Sequence, residues 1–233
     1  MNSNDSPPTP PLPFDFAGWW SIPEQWVEEP NRRRNGWSGM IRLTLGKKTY
    51  YVKKQCNHLN RSLQHPAGWP TVSREHQNIV RLNKLGIKTP NPVFHGVRQS
   101  SDGFEAILVT EELVGFRSLD HQHELTPAQK ATLAREVGGI LGIMHRAHLQ
   151  HSCLYDKHIM VRWQADTPEV ALIDLEKLRK PLLFWRAGPH DLDQLKRHQT
   201  IWNGEEWLLL MLSYEQSINA PTQHTSQIGR AHV

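Results

Sequence analysis

The feature that most constrains the fold is a pair of apolar runs in the second half of the chain. The runs IMVRW (residues 159–163) and EVALI (residues 169–173) flank the turn-forming stretch QADTP, a pattern that predicts a β-hairpin. Such a hairpin brings His158 and Asp174 to the same end of the sheet. A carboxylate at the end of a buried strand is costly unless it is paired or binds a cation. We therefore predict a metal ligand at Asp174; the alternative is an acid that only ends the strand and caps a turn.

The first half of the chain is predicted to consist of strands around one helix. A turn at Gly46 joins two strands, of which the second contains the β-branched and aromatic residues 49–52. Residues 55–70 are polar, contain Pro66, Gly68 and Pro70, and are predicted to be a loop. A helix with apolar residues at helical spacing then ends at Gly86, and two strands flank the turn at residues 100–103.

The rest of the chain is predicted to be mainly helical. Thr126, followed by Pro127 and Gln129, is a capping-box start for a long helix, and two more helices follow the hairpin. Strands, one helix, more strands and then a helical half give an α+β order, that of a bilobal protein-kinase-like fold with a small strand-rich N-lobe and a mostly helical C-lobe. The predicted divisions are an extended or disordered segment 1–31, an N-lobe 32–113, a C-lobe 114–216 and a disordered tail 217–233.

Two charged residues of the predicted N-lobe have the order that phosphoryl transfer requires. The reaction needs a lysine on the phosphates, a carboxylate that holds this lysine and a carboxylate on magnesium. Lys53 ends the strand YYVKK, and Glu75 lies near the start of the following helix. The alternative for Glu75 is a solvated helix residue. The alternatives for the lysine are its neighbours Lys47, Lys48 and Lys54.

The net charge and the composition indicate which class of ligand the chain binds and in which compartment it works. With 27 basic and 23 acidic residues, the net charge of +4 fits a small anionic ligand such as a nucleotide better than nucleic acid. Cys56 and Cys153 form neither a disulfide framework nor a zinc motif, which favours a reducing compartment. The sequence has no signal-like or membrane-spanning run. A cytoplasmic location is expected, with peripheral contact at the inner membrane left open.

In these motifs the chain resembles the InaA-like lipopolysaccharide kinase family, a group of heptose and Kdo kinases with the protein-kinase fold. The resemblance covers about residues 32–200. It depends on the order of RNGWSG with Gly36 and Gly39 at the nucleotide loop, YYVKKQ, Arg74-Glu75, LVTEELVGFRSLD, HSCLYDKHIMV, ALIDLEK and DLDQL. It implies that Gly36 and Gly39 contact the nucleotide.

The resemblance also implies roles for four charged residues. Lys53 would bind the ATP phosphates, Glu75 would be its ion-pair partner and Asp174 would be the magnesium ligand. Asp191 would be the structural acid that ties the catalytic loop to the following helix.

The loop HSCLYDKHI departs from the H-R-D-x-x-x-x-N pattern of kinases at two positions that matter. Cys153 stands at the catalytic aspartate, and a largely protonated thiol is a poor substitute for a carboxylate. Asp156, in the same loop, is a candidate to take over the role. His158 stands at the second metal position but is a softer donor than magnesium prefers, so one metal ion held by Asp174 is expected.

The resemblance implies an ATP- and Mg-dependent phosphotransferase that acts on a sugar hydroxyl of a lipopolysaccharide core or a related glycolipid. Because the usual base is missing, the alternative is a nucleotide-binding pseudokinase with a stress-response or scaffolding role. A third candidate, an antibiotic or choline-type phosphotransferase, shares the fold but normally retains its catalytic aspartate. No nucleic-acid partner is expected.

Overall fold

The computed structural model describes residues 15–27, 29–33, 36–61 and 65–221 of the chain. In chain order the strands are β1 (Asn31–Arg33), β2 (Gly36–Leu45), β3 (Lys48–Cys56), β4 (Leu59–Asn60), β5 (Trp69–Pro70), β6 (Pro92–Ser100), β7 (Gly103–Glu111), β8 (Arg117–Ser118), β9 (Ile159–Gln164) and β10 (Thr167–Leu172). The α-helices are α1 (Phe16–Trp20), α2 (Thr71–Lys84), α3 (Pro127–Arg146), α4 (Ala187–His198) and α5 (Gly204–Ile218). Short 3-10 helices occupy Leu119–His121, Asp156–His158, Leu175–Lys177 and Phe184–Arg186.

An antiparallel sheet with the strand order β1-β2-β3-β7-β6 forms the N-lobe. Its two predicted hairpins are present: β2 turns into β3 at Gly46, whose φ of +60° suits glycine, and β6 turns into β7 at residues 101–102. After β3, the short strands β4 and β5 form a two-stranded antiparallel ribbon. Helix α2 follows this ribbon and ends before Gly86, as the sequence predicts. Side chains alternate along β3, so one face of the sheet meets α2 and the other meets α1.

The prediction of extended or disordered chain up to residue 31 is wrong for residues 16–20, which form α1. Asp15 caps this helix by accepting a hydrogen bond from the Gly18 N–H. Trp19 is 1% exposed and packs on the sheet with Tyr50 and Phe94. Burial of a large aromatic side chain therefore orders a segment whose Pro-rich beginning suggested an extended conformation. Residues 1–14 lie outside the described residues.

Two further boundaries differ from the predictions. The predicted loop over residues 55–70 contains the end of β3 and the two-stranded ribbon β4–β5. The predicted disordered tail begins too early, because α5 continues to Ile218, whose side chain packs against the core. Residues 222–233 lie outside the described part of the chain.

The C-lobe contains the predicted long helix and the predicted hairpin. Thr126 and Gln129 form the capping box at the start of α3, and β9 pairs with β10 so that Ile159 lies opposite Leu172. The α+β fold with a strand-rich N-lobe and a mostly helical C-lobe is confirmed. None of the described helices has the length and apolar character needed to cross a bilayer.

Helices α3 and α5 pack closely because glycines line their contact. A Cβ added to Gly138 would lie 2.1 Å from the carbonyl oxygen of Leu210, and one added to Gly142 would lie 2.6 Å from that of Tyr214. The adjacent Gly139 has room, since its added Cβ would lie 3.5 Å from the Ser213 hydroxyl oxygen. The two glycines 138 and 142 therefore set the distance between the helices.

This packing predicts opposite effects for two neighbouring substitutions. Gly138→Ala forces α5 away from α3 and should lower the free energy of unfolding by about 1–3 kcal/mol. Gly139→Ala adds a helix-favouring side chain without a clash and should raise it by about 0.5–1 kcal/mol. Urea unfolding followed by circular dichroism measures both. Equal stability of the two variants would contradict the packing described.

Candidate active site

Lys53 is the lysine of β3 that points into the space between the lobes. Consecutive residues of a strand face opposite sides, so Lys54 points away from it. The Lys54 ammonium instead donates hydrogen bonds to the carbonyl oxygens of Trp20 and Ile22, at 2.6 and 2.7 Å. The two other lysines considered from the sequence are exposed: Lys47 and Lys48.

Two carboxylates, one from each lobe, hold the Lys53 ammonium. Its Nζ donates to Glu75 Oε2 at 2.8 Å and to Glu176 Oε2 at 3.1 Å. Burial alone would lower the pKa of Lys53, but the charges of Glu75 and Glu176 raise it above its usual value. The predicted contact between Lys53 and Glu75 is present, and Lys53 carries a charge at neutral pH.

The carboxylates around Lys53 act on one another as well as on this ammonium. Burial raises the pKa of Glu75 and, although Lys53 opposes this, the like charges of Glu176 and Asp174 raise it further. For Glu176, burial would raise the pKa, but Lys53 holds it below the usual value. Glu75 and Glu176 thus share the Lys53 ammonium, and Asp174 lies near enough to Glu75 to act on it as a like charge.

Asn78 fixes the segment that carries Glu176. Its side chain is fully buried and donates hydrogen bonds to the carbonyl oxygens of Leu175 and Leu178, both at 2.8 Å. Asn78 lies three residues after Glu75, on the same side of α2. One helix therefore positions both carboxylates on Lys53: Glu75 directly, and Glu176 through the turn that Asn78 binds.

Asp174 and His158 lie together at the end of the β9–β10 hairpin, as the sequence predicts. Asp174 has a left-handed backbone with φ +57°, a conformation that aspartate adopts more readily than most residues. His158 donates from Nδ1 to the Cys153 carbonyl oxygen at 2.7 Å, and its Nε2 lies 3.4 Å from Asp174 Oδ2. Either a proton on Nε2 or a cation bound by both groups satisfies this arrangement.

The donors near Asp174 suit magnesium better than a metal held by protein alone. Among the described residues, no group of three or more His, Cys, Asp or Glu side chains is arranged to enclose a metal ion. Magnesium commonly uses one or two carboxylates and completes its shell with water and substrate phosphates. Asp174, a carboxylate just after the end of β10, fits that mode.

Asp191 fixes the backbone of the loop that begins at His151. Its fully buried carboxylate accepts hydrogen bonds from the backbone N–H of His151 at 2.6 Å and of Ser152 at 3.0 Å. Ser152 has φ +68°, which these two bonds stabilise. The contact that the resemblance implied between Asp191 and this loop is present.

Asp191 also has buried partners on α3 and α5, which were not predicted. His145 donates from Nε2 to Asp191 Oδ2 at 3.2 Å, and the Tyr214 hydroxyl lies 3.2 Å from its Nδ1. Burial, together with the charge of Asp191, raises the pKa of Tyr214 to about 12. This buried chain joins α3, α4 and α5 to the loop. A signal was available in the spacing that places His145 on the apolar face of α3.

Cys153 occupies the predicted position of the catalytic aspartate, and its thiol is nearly buried. The Cys153 side chain lies near enough to Lys177 to raise the pKa of its ammonium. The Asp156 carboxylate accepts a hydrogen bond from the Lys157 N–H at 2.9 Å. Among the described residues, it makes no hydrogen bond with Cys153 or Asp174. Its role as a replacement base stays a prediction.

The nucleotide contact of Gly36 and Gly39 stays a prediction; both residues lie in β2. A Cβ on Gly36 would lie 2.4 Å from the Asn57 carbonyl oxygen, and one on Gly39 would lie 2.5 Å from the Trp26 ring. Gly39 also pairs with Lys54 and so shares the face that points away from Lys53. Packing within the N-lobe explains both glycines. The residues between β1 and β2, 34 and 35, lie outside the described residues.

Comparison with known proteins identifies relatives. The model of the Lipopolysaccharide kinase (Kdo/WaaP) family matches residues 17–214, a longer match than the 32–200 expected from the motifs and one that includes most of α1. Protein InaA of Escherichia coli (strain K12) is 35% identical over 190 residues, which cover 79% of this chain and 88% of the relative. The solved structure of WaaP in complex with acyl carrier protein is similar in fold, with a TM-score of 0.63, 24% identity and coverage of 82% of this chain and 79% of that one.

The hydrogen bonds of Asp191 predict a large loss of stability on its replacement. In Asp191→Asn one oxygen becomes an amide NH₂ that faces an N–H donor, which should lower the free energy of unfolding by about 2–4 kcal/mol. The matched control is Asp193→Asn on the same helix. The Asp193 side chain is 65% exposed, so this change should cost less than about 0.5 kcal/mol. Denaturant unfolding at neutral pH compares the two.

The pH dependence of the same difference tests the charge state of Asp191. Burial would raise the pKa of Asp191, but the hydrogen bond and charge of His145 and the His151 N–H lower it below its usual value. The stabilisation by this carboxylate is then complete above the pKa of Asp191 in the unfolded chain, which is about 4. It is lost as the pH falls through the lower pKa of Asp191 in the folded protein. The stability difference between wild type and Asp191→Asn should shrink on acidification. A difference that grows instead would contradict a depressed pKa.

Proposed function

The chain belongs to the Lipopolysaccharide kinase (Kdo/WaaP) family, and from this premise we propose that it is an ATP-dependent phosphotransferase. The proposed acceptor is a sugar hydroxyl of a lipopolysaccharide core or a related glycolipid. The observation that carries the proposal is the Lys53 ammonium held by Glu75 while Glu176 and Asp174 line the same space. A lysine, its carboxylate partner and a metal-binding acid are the protein groups that phosphoryl transfer requires on the nucleotide side.

Each lobe contributes a part of the proposed nucleotide site. From the N-lobe, 32–113, Lys53 would bind the phosphates and Glu75 would orient it. From the C-lobe, 114–216, Asp174 would bind magnesium, with His158 beside it. Magnesium supplies charge neutralisation on the phosphate oxygens when bound. Glu176 would hold Lys53 until the triphosphate, an anion of higher charge, replaces the carboxylate.

The proposed acceptor side lacks a carboxylate base at Cys153. Phosphoryl transfer proceeds through a loose transition state in which positioning and charge neutralisation matter more than deprotonation. Lys177, which lies near the Cys153 side chain, is suited to neutralise charge on the transferred group. Slow transfer without a strong base follows from this arrangement, and Asp156 remains a secondary candidate for the base.

A second candidate function is a nucleotide-binding pseudokinase with a scaffolding or stress-response role. The observation in its favour is the nearly buried Cys153 thiol at the position where the family's kinase pattern places an aspartate. The two candidates share the nucleotide site and differ in whether a phosphoryl group reaches an acceptor. A turnover measurement separates them.

The missing base predicts a gain of function. Cys153→Asp restores a carboxylate at the acceptor position and should raise phosphate transfer from ATP to core oligosaccharide by about 10²-fold or more, within the usual range for general catalysis. Cys153→Ser, which keeps the size but adds no carboxylate, should stay within about threefold of wild type. Transfer is followed with labelled ATP and magnesium.

Three results have different meanings. Loss of transfer in Cys153→Ser would show that the thiol takes part in the reaction. No gain in Cys153→Asp, with wild-type transfer intact, would contradict the assignment of position 153 to the acceptor side. Nucleotide binding without transfer by wild type or Cys153→Asp, on any core oligosaccharide, would favour the pseudokinase.

A further inference from the structure

A run of large apolar side chains is exposed next to the candidate site. Leu182, Leu183, Phe184 and Trp185 are 98, 43, 47 and 61% exposed. Ten large apolar residues are exposed in the described part of the chain. These four follow one another in sequence, whereas the other six are separated from each other. Water-exposed apolar groups in such a cluster mark an interaction surface. We call residues 182–185 the apolar segment.

Basic residues surround the apolar segment. Arg179 and Lys180 precede it, Arg186 follows it, and all three are exposed and in no salt bridge with a described residue. Residues 177–190 contain no acid. The surface therefore combines apolar side chains with uncompensated positive charge, which fits an anionic partner that also accepts apolar groups.

The apolar segment is attached to the loop that carries Cys153. Arg179 and Gln150 exchange backbone hydrogen bonds at 2.8 and 2.9 Å, and Gln150 directly precedes His151. The Phe184 ring packs against His148 at a centroid distance of 4.4 Å. Beyond the segment, the buried Ala187 begins α4. Whatever binds the apolar segment is thereby held next to the candidate acceptor side.

We propose that the apolar segment and its basic neighbours form a membrane-docking surface that binds the interface of an anionic bilayer. Leu182, Leu183 and Trp185 enter the headgroup region, where leucine and aromatic side chains are stabilised. Arg179, Lys180 and Arg186 bind lipid phosphates while their apolar stems stay near the interface. This inference rests on the proposed function in one respect: a glycolipid acceptor would then be presented from the same membrane that the surface binds.

An acidic protein is the other partner that the charge would fit. Protein interfaces are depleted of lysine, whereas interfacial membrane anchors combine leucine, phenylalanine and tryptophan with both lysine and arginine. The bilayer is therefore the partner that the exposed residues favour. The structure of WaaP with acyl carrier protein makes a small acidic carrier protein the appropriate comparison in the test.

Co-sedimentation with vesicles tests the proposal on the full chain, without nucleotide or sugar. Wild type should bind vesicles of phosphatidylcholine with phosphatidylglycerol more tightly than vesicles of phosphatidylcholine alone, and added salt should weaken the binding. Leu182→Ser with Trp185→Ser should lower the partition coefficient by about tenfold. Arg179→Gln with Lys180→Gln should lower it by about tenfold on the anionic vesicles only.

The matched control removes two exposed leucines from another surface. Leu208 and Leu212 lie on α5 and are 60 and 49% exposed, and Leu208→Ser with Leu212→Ser should leave vesicle binding unchanged. Unfolding midpoints verify that each variant is folded. The proposal is overturned if wild type ignores anionic vesicles, if the control loses as much binding as the segment variants, or if wild type binds an acidic carrier protein but not lipid. Because the assay contains no phosphotransfer, its outcome is separate from that of the proposed function.

Discussion

The arrangement of the two lobes depends on the ion pairs that Lys53 makes with Glu75 and Glu176. A buried ammonium is costly unless carboxylates compensate it, and here Glu75 comes from α2 while Glu176 comes from the turn after β10. Asn78 binds that same turn from α2. Strand β3, helix α2 and the segment that begins at Asp174 are therefore fixed relative to one another by a single set of polar contacts.

A second buried polar network plays the same part on the other side of the site. Tyr214, His145 and Asp191 connect three helices to the backbone at His151 and Ser152. Such networks stabilise a structure only when every member is satisfied. The first network positions the groups proposed for the nucleotide, and the second positions the loop with Cys153, so two rigid parts meet where the transferred phosphoryl group would lie.

Sequence reasoning succeeded where spacing along the chain determines geometry. The pairing of Lys53 with Glu75, the approach of His158 to Asp174 and the capping box at Thr126 follow from the order and period of the elements. It could not give the face of the sheet on which Gly39 lies, because strand register is unknown from one sequence and decides which face a residue occupies. It missed Glu176 and Asn78 because their partners depend on tertiary packing, and it missed α1 because burial of Trp19 overrides local composition.

Magnesium-dependent binding of ATP, measured by calorimetry, tests the central claim that Lys53 and Asp174 form one nucleotide site. Wild type should bind ATP with magnesium and bind it at least about tenfold more weakly without it. Asp174→Asn should abolish this dependence, whereas Asp166→Asn, in the exposed turn between β9 and β10, should preserve it. Unchanged magnesium-dependent binding in Asp174→Asn would contradict the account, because the nucleotide would then lie elsewhere.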